Sequence, residues 1–281
     1  MPFNQKTISK ELTFSGIGLH SGKKVTIKLL PAKENSGIFF NFNKNIIIAS
    51  WEFGQISQLC TQIKKNKIII STIEHLMSSL SGLGIDNLEV KTDSGEMPIL
   101  DGSSKEFYEK ILENGLCEQN FHKKFILIKK EIFLKEKNKY IRIEPSQSGI
   151  LNIKYTIDYN DQFIKKQTLK YQHNFENYKN IYKARTFCLH EDLEKIFSMG
   201  LGRGGSLENA IVVSGKKILN QGGLRYKDEF VRHKILDCIG DLYLAKYHII
   251  GNITVYGGGH ELNLKLLQAI FKNKKNYAIL N

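Results

Sequence analysis

The chain runs through one plan twice, strands first and helices later, and this repetition limits the folds open to it more than any other feature. In the first pass, "QKTISKELTF", "KKVTIKLLPA" and "SGIFFNFN" read as strands separated by Gly, Ser and Asn turns. "KIIIST" is another strand, residues 72–83 take helical spacing, and a Gly-containing turn leads into the strand "IDNLEVKT". A second helix lies in "LDGSSKEFYEKILENG", where Ser103 and Glu106 have the spacing of a capping box and Gly115 is the stop. The pattern resets near Phe121. Strands are expected at 124–135, 139–146, 150–158 and 165–172. A mixed segment follows, then a helix in "EFVRHKILDCIGDL", the strand "NITVYG" and a terminal helix in "HELNLKLLQAIFKN". The two central helices echo each other, with a Gly seven residues after a His in each: His75 to Gly82 and His233 to Gly240. The expectation is an α+β fold of two domains, residues 1–121 and 122–281.

Composition narrows the function classes. No apolar run approaches the roughly 18 residues of a spanning helix, and the start, "MPFNQKTISKELTFSG", has no apolar core of a secretory signal. The four cysteines (Cys60, Cys117, Cys188, Cys238) form no C-x-x-C pair, which argues against a disulfide framework or zinc ribbon and for a reducing cytoplasm. The net charge of +13 suits an anionic partner. Only five of the 41 basic residues are Arg, however, and no basic helix or aromatic-basic strand is present, so nucleic acid is not the expected partner.

A helix over 229–242 stacks His233, Asp237 and Asp241 at i, i+4 and i+8 along one stripe. A solvated face can carry such a stripe. This one is built of His and Asp, whereas Lys and Glu fill the exposed faces elsewhere. An i, i+4 His–Asp pair can grip one metal, and a catalytic zinc takes three protein ligands and keeps one open position. His75 in "TIEHL" is the candidate third ligand. Glu74 beside it is placed to take a proton from water, although no H-E-x-x-H motif exists in the chain. His260 follows three glycines at a strand-to-helix turn, and Asp241 is its candidate carboxylate partner. Gly200, Gly202 and Gly205 match G-x-G-x-x-G, but no strand leads into them, which argues against a dinucleotide site. They read better as the return from a small inserted helix whose apolar face is Leu193, Ile196, Met199 and Leu201, either a core contact or the wall of an apolar passage.

Taken together, "TIEHLMSSLSGLGIDN", "MPILDGS", "ARTF", "GGSLENAIVV", "DEFVRHKILDCIGDL" and "GGGHELNLKLLQAI" resemble the UDP-3-O-acyl-N-acetylglucosamine deacetylases, in order and spacing, from about residue 5 to 275. The resemblance implies two related α+β domains, each a mainly antiparallel sheet layered with helices, with the active site between them. It implies hydrolysis of the sugar's N-acetyl group, the committed step of lipid A synthesis in Gram-negative bacteria, by a cytoplasmic enzyme. The metal ligands it implies are His75, His233 and Asp237, holding one Zn2+ per chain, with Fe2+ able to suit the same donors. Glu74 falls on the general base, His260 on the catalytic histidine with Asp241 as its partner, and Thr186 on the residue that contacts the reacting carbonyl. Lys234 and Phe187 match contacts to the sugar nucleotide, and Lys234 is expected to attract the pyrophosphate. The segment 188–207, including Leu193, Ser206 and Leu207, matches the acyl-chain passage. The implied partner is a UDP-linked acylated amino sugar, bound by a monomer with at most weak peripheral membrane association. The family's L-C-T-C stretch departs here to "LCTQ", with Gln62 replacing the second Cys, which touches only local metal or inhibitor affinity. A basic RNA- or ribosome-associated protein without a catalytic metal is the alternative.

Overall fold

The structure, a computed structural model, describes residues 4–281. Five strands of the N-terminal half form one sheet: β1 (Leu12–Ile17), β2 (Lys24–Pro31), β3 (Ile38–Phe42), β4 (Asn45–Ile48) and β5 (Leu88–Thr92), in the order β1-β2-β5-β3-β4. Five from the C-terminal half repeat it: β6 (Ile132–Glu136), β7 (Lys139–Glu144), β8 (Leu151–Asp158), β9 (Lys166–His173) and β10 (His248–Tyr256), in the order β6-β7-β10-β8-β9. Read across either sheet, the pairings are antiparallel, antiparallel, parallel and antiparallel. The parallel pair requires a crossover, and in each half a helix supplies it. Helices α1 (Glu74–Leu83) and α2 (Lys105–Asn114) bracket β5. After the short α3 (Phe175–Tyr178) and α4 (Leu193–Ser198), helices α5 (Glu229–Leu242) and α6 (His260–Phe271) bracket β10 in the same way. The fold is α+β with mainly antiparallel sheets, as the sequence pattern indicates.

Alternation along the strands builds the core. In β2, Val25, Ile27 and Leu29 are buried while Lys24 and Lys28 are exposed, the period-2 signature of a half-covered sheet. Every residue of α1 is buried, including its three serines, so this helix is enclosed rather than amphipathic. Ser79 returns its hydroxyl to the carbonyls of His75 and Ser104 and so satisfies itself inside. One continuous apolar cluster runs from Phe14, Ile27 and Phe40 through Leu76 and Leu80 to Ile239 and Ile253.

Several elements differ from the sequence pattern. "QKTISKELTF" is two strands, Asn4–Ile8 and β1, in different sheets; Asn4–Ile8 pairs with Leu116–His122. The strand expected at 124–135 is likewise two. Phe125–Ile128 pairs with β10 and a C-terminal strand, Tyr277–Leu280, whereas β6 pairs with β7. The capping box is absent. The N-cap of α2 is Ser104, and the Ser103 hydroxyl accepts from the Lys105 amide while donating to Asp101. Among the described residues, no helix is long and apolar enough to cross a membrane.

Candidate metal centre and its cleft

Helices α1 and α5 pack against each other, and their contact places the chemistry. At Gly240 the backbone of α5 presses on the carbonyl of Glu74; a Cβ there would lie 2.1 Å from that oxygen. No larger residue permits this approach, which sets the first turn of α1 beside the C-terminal half of α5. His75 therefore meets His233 and Asp237. Ligand atoms of all three lie within 4.8 Å of one another, and all three residues are buried. The Nε2 atoms of His75 and His233 are 3.5 and 3.2 Å from Asp237 Oδ1.

These residues fit a divalent ion. Asp237 Oδ1 is buried without a hydrogen-bond donor among the described residues, a costly state unless a cation completes it. His233 Nδ1 donates to the Ala184 carbonyl at 3.0 Å, which fixes the tautomer and leaves the Nε2 lone pair facing the cluster. Burial, against the pull of Asp237, lowers the His233 pKa to about 3, so the ring is neutral, as a ligand must be. Burial also works against the Asp237 charge, but His233 and Lys234 outweigh it and hold its carboxyl well below the usual range. Two imidazoles and one carboxylate are the donor set of a catalytic zinc site.

Two titratable groups flank the cluster. Glu74 is buried in the first turn of α1, and burial lifts its carboxyl above the usual value despite His260 and His75 nearby. Its Oε2 accepts the Thr61 amide at 3.0 Å. His260 opens α6, with Nδ1 2.9 Å from Asp241 Oδ2 and Nε2 4.0 Å from Glu74 Oε1. A helix N-terminus disfavours a cation, and burial works the same way. Asp241, followed by Glu74 and Asp237, overcomes both and raises the His260 pKa to about 9. Asp241 also accepts the Thr61 hydroxyl and, at 2.7 Å, the amide of Asn263. It does not line the cleft.

The cleft over the cluster has a volume of about 860 Å3, within the range that takes a sizeable small molecule. Glu74, His75, Thr186, Phe187, Leu193, Ser206, Leu207, His233, Lys234, Asp237 and His260 all line it. Thr186 is pinned by its amide to Gly102 at 2.7 Å and by its carbonyl to the Ile211 amide at 2.8 Å. Gly102 adopts φ +79°, and a Cβ there would collide with the Asn209 carbonyl, so glycine is required for this contact. Lys234 is not a free cation: its ammonium bonds Asp237 Oδ2 at 2.9 Å and sits 5.6 Å from the Phe187 ring centre. Asp237 overrides the burial penalty and holds the Lys234 pKa above its ordinary value. In the insertion, Leu193, Ile196 and Met199 line the cleft as expected, together with Phe197, while Leu201 does not. None of these is core: Phe197 is 53% exposed and Met199 39%. Gln62 reaches the Cys60 sulfur at 3.7 Å, and burial, then Glu74, pushes that thiol up to about 11.

Sequence reasoning missed four features of this region. His20 lines the cleft, buried, with neither ring nitrogen hydrogen-bonded among the described residues, and burial holds its pKa below the usual value. Its setting in "SGIGLHSG", a His among glycines, parallels that of His260 and was the available signal. Lys139 lines the cleft as well. Thr61 joins Glu74 to Asp241, with no local signal to reveal it. Arg185 and the fully buried Glu229 form a two-pronged ion pair, 2.9 and 3.2 Å, that ties the segment carrying Ala184 and Thr186 to the start of α5.

An enclosed two-His, one-carboxylate cluster, with a buried carboxyl and a carboxylate-held imidazole 4.0 Å apart beside it, is the arrangement that metal-dependent hydrolases use. The family model for LpxC, UDP-3-O-acyl N-acetylglycosamine deacetylase, matches residues 5–272, and the chain belongs to that family. Among relatives named UDP-3-O-acyl-N-acetylglucosamine deacetylase, the one from Campylobacter lari is 42% identical over 99% of this chain and 95% of its own length. Those from Glaesserella parasuis and Actinobacillus pleuropneumoniae are 42% and 43% identical, each over 96% of this chain and 90% of their own.

Proposed function

We propose that this protein hydrolyses the N-acetyl amide of UDP-3-O-acyl-N-acetylglucosamine to UDP-3-O-acyl-glucosamine and acetate, within lipid A biosynthesis. The observation that carries the reading is the pairing of buried Glu74 with Asp241-held His260, 4.0 Å apart, beside a cluster that fits one metal ion. We assign that ion as one Zn2+ per chain, with Fe2+ able to use the same donors. When bound, it supplies Lewis-acid polarisation and lowers the pKa of water toward ~7. Every other step is assigned to side chains of the chain. Glu74 takes the proton from the attacking water, a task its raised pKa suits. Thr186, held rigidly at its backbone, faces the carbonyl oxygen as charge develops there. His260, kept protonated by Asp241, presents Nε2–H to the reacting centre, where it balances negative charge or supplies the leaving amine with its proton.

Substrate recognition divides along the cleft. Phe187 and Lys234 take the sugar-nucleotide end, and Leu193, Ser206 and Leu207 of the 188–207 insertion take the acyl chain. The division into domains 1–121 and 122–281 belongs to the same proposal; each contributes one side of the ligand set. The test is acetate release from the UDP-sugar by purified protein. Glu74→Ala is expected to lower kcat by roughly 10²-fold or more, and near wild-type turnover by that variant removes Glu74 from the mechanism.

A further inference from the structure

Thr61 lies just before the strand Gln62–Lys65, in a small three-stranded sheet with Gly54–Gln55 and Ile68–Ser71. It is buried and bonds three of the groups that the deacetylase reading uses. Its amide donates to Glu74 Oε2 at 3.0 Å. Its hydroxyl bonds Asp241 Oδ1, and the same oxygen lies 3.0 Å from His260 Nδ1.

A hydroxyl has one proton and two lone pairs, which settles the direction of every bond here. Asp241 Oδ2 receives the Asn263 amide and faces His260, so the Thr61 proton goes to Oδ1. What remains on Oγ1 toward His260 is a lone pair. Nδ1 must then carry its hydrogen, shared between Asp241 Oδ2 at 2.9 Å and Thr61 Oγ1 at 3.0 Å. The ring is gripped by two acceptors rather than one, and Nε2 is left pointing at Glu74, 4.0 Å away. A carboxylate alone leaves an imidazole free to swing about a single hydrogen bond; a second acceptor from another element removes that freedom.

We propose that Thr61 is a positioning residue that holds the Glu74 carboxyl and the His260 ring in one fixed relation, through its amide and its hydroxyl respectively. It touches no substrate. It joins the small sheet of the N-terminal half to α5 and α6 of the C-terminal half, so the two candidate proton-handling groups share one anchor.

The inference rests on the deacetylase reading, and one assay separates the two. Thr61→Val keeps the size and the backbone amide but deletes the hydroxyl; Thr61→Ser restores it. Thr61→Val is expected to lower kcat for acetate release roughly 10–100-fold, with KM within about twofold, and Thr61→Ser to recover most of the loss. Melting temperature and bound-metal content should match wild type. Should the valine variant fail to fold, Thr61→Ala takes its place in the same comparison. A valine variant within about threefold of wild type in kcat overturns the proposal, as does a serine variant as slow as valine or a loss confined to KM. In the metal-free protein, nitrogen NMR should find His260 Nδ1 protonated, and a bare Nδ1 also overturns it. A wild-type protein that releases no acetate overturns the deacetylase reading itself, and the inference with it.

Discussion

Gly240→Ala tests how candidate ligands from two helices come to share one cluster. The new Cβ would lie 2.1 Å from the Glu74 carbonyl oxygen and 2.9 Å from its carbon, both backbone atoms that cannot rotate away. Ordinary van der Waals contact begins at 3.4 Å, so α1 and α5 must part by about 1.3 Å at this point. His75 and Glu74 ride on α1 and His233 and Asp237 on α5, so the gap opens within the ligand set itself. A ligand moved by this much weakens metal binding by roughly 10–100-fold. A reacting geometry displaced by ~1 Å costs about 10²-fold in kcat/KM. Overpacking adds about 1–3 kcal/mol of destabilisation. Chelator competition on the metal-free protein measures the first effect, acetate release at saturating metal the second, and urea unfolding the third. If metal affinity and kcat/KM both stay within about threefold of wild type, the helix contact does not set the site and the reasoning fails.

Glu229→Gln removes the charge that faces the buried Arg185 guanidinium and should destabilise the protein by about 3 kcal/mol, read from urea unfolding. His173 is buried against Ser81, and burial lowers its pKa to about 4. The unfolded chain therefore binds a proton near pH 6.5 that the folded chain refuses, so this stability is fully present above pH 6.5 and is lost as pH falls from there toward 4. Between pH 7.5 and 5 the loss is about 2 kcal/mol, and the His173→Leu variant should show a correspondingly shallower slope. Protonated His260 implies that kcat falls as pH rises through about 9, and a rate still rising beyond that value contradicts a charged His260 in the reaction.

The doubled topology was legible because each half carries its own strand alternation and turn residues, and because the His–Gly echo falls on equivalent helices. The three members of the candidate metal cluster were legible for a similar reason. Two share a helical stripe, where i, i+4 spacing guarantees proximity, and the third sits on the echoing helix. What the sequence hid depends on partners far apart in the chain. Thr61 and Asp241 are 180 residues apart, and Arg185 and Glu229 are 44 apart, so no local period links them. The strand break between Ile128 and Ile132 was hidden because apolar residues continue on both sides of it while the pairing partner changes. Lys234 is different: its ammonium bonds Asp237 three residues along the same helix, a contact that i, i+3 spacing already allows.

The central claim is metal-dependent amide hydrolysis at His75, His233 and Asp237. Its most direct test is a titration of metal-free protein with Zn2+ while acetate release from UDP-3-O-acyl-N-acetylglucosamine is followed. The account predicts no turnover without metal, full turnover at one equivalent per chain, and loss of high-affinity binding in His233→Ala. Undiminished turnover by the metal-free protein, or one-to-one binding retained by that variant, would contradict it.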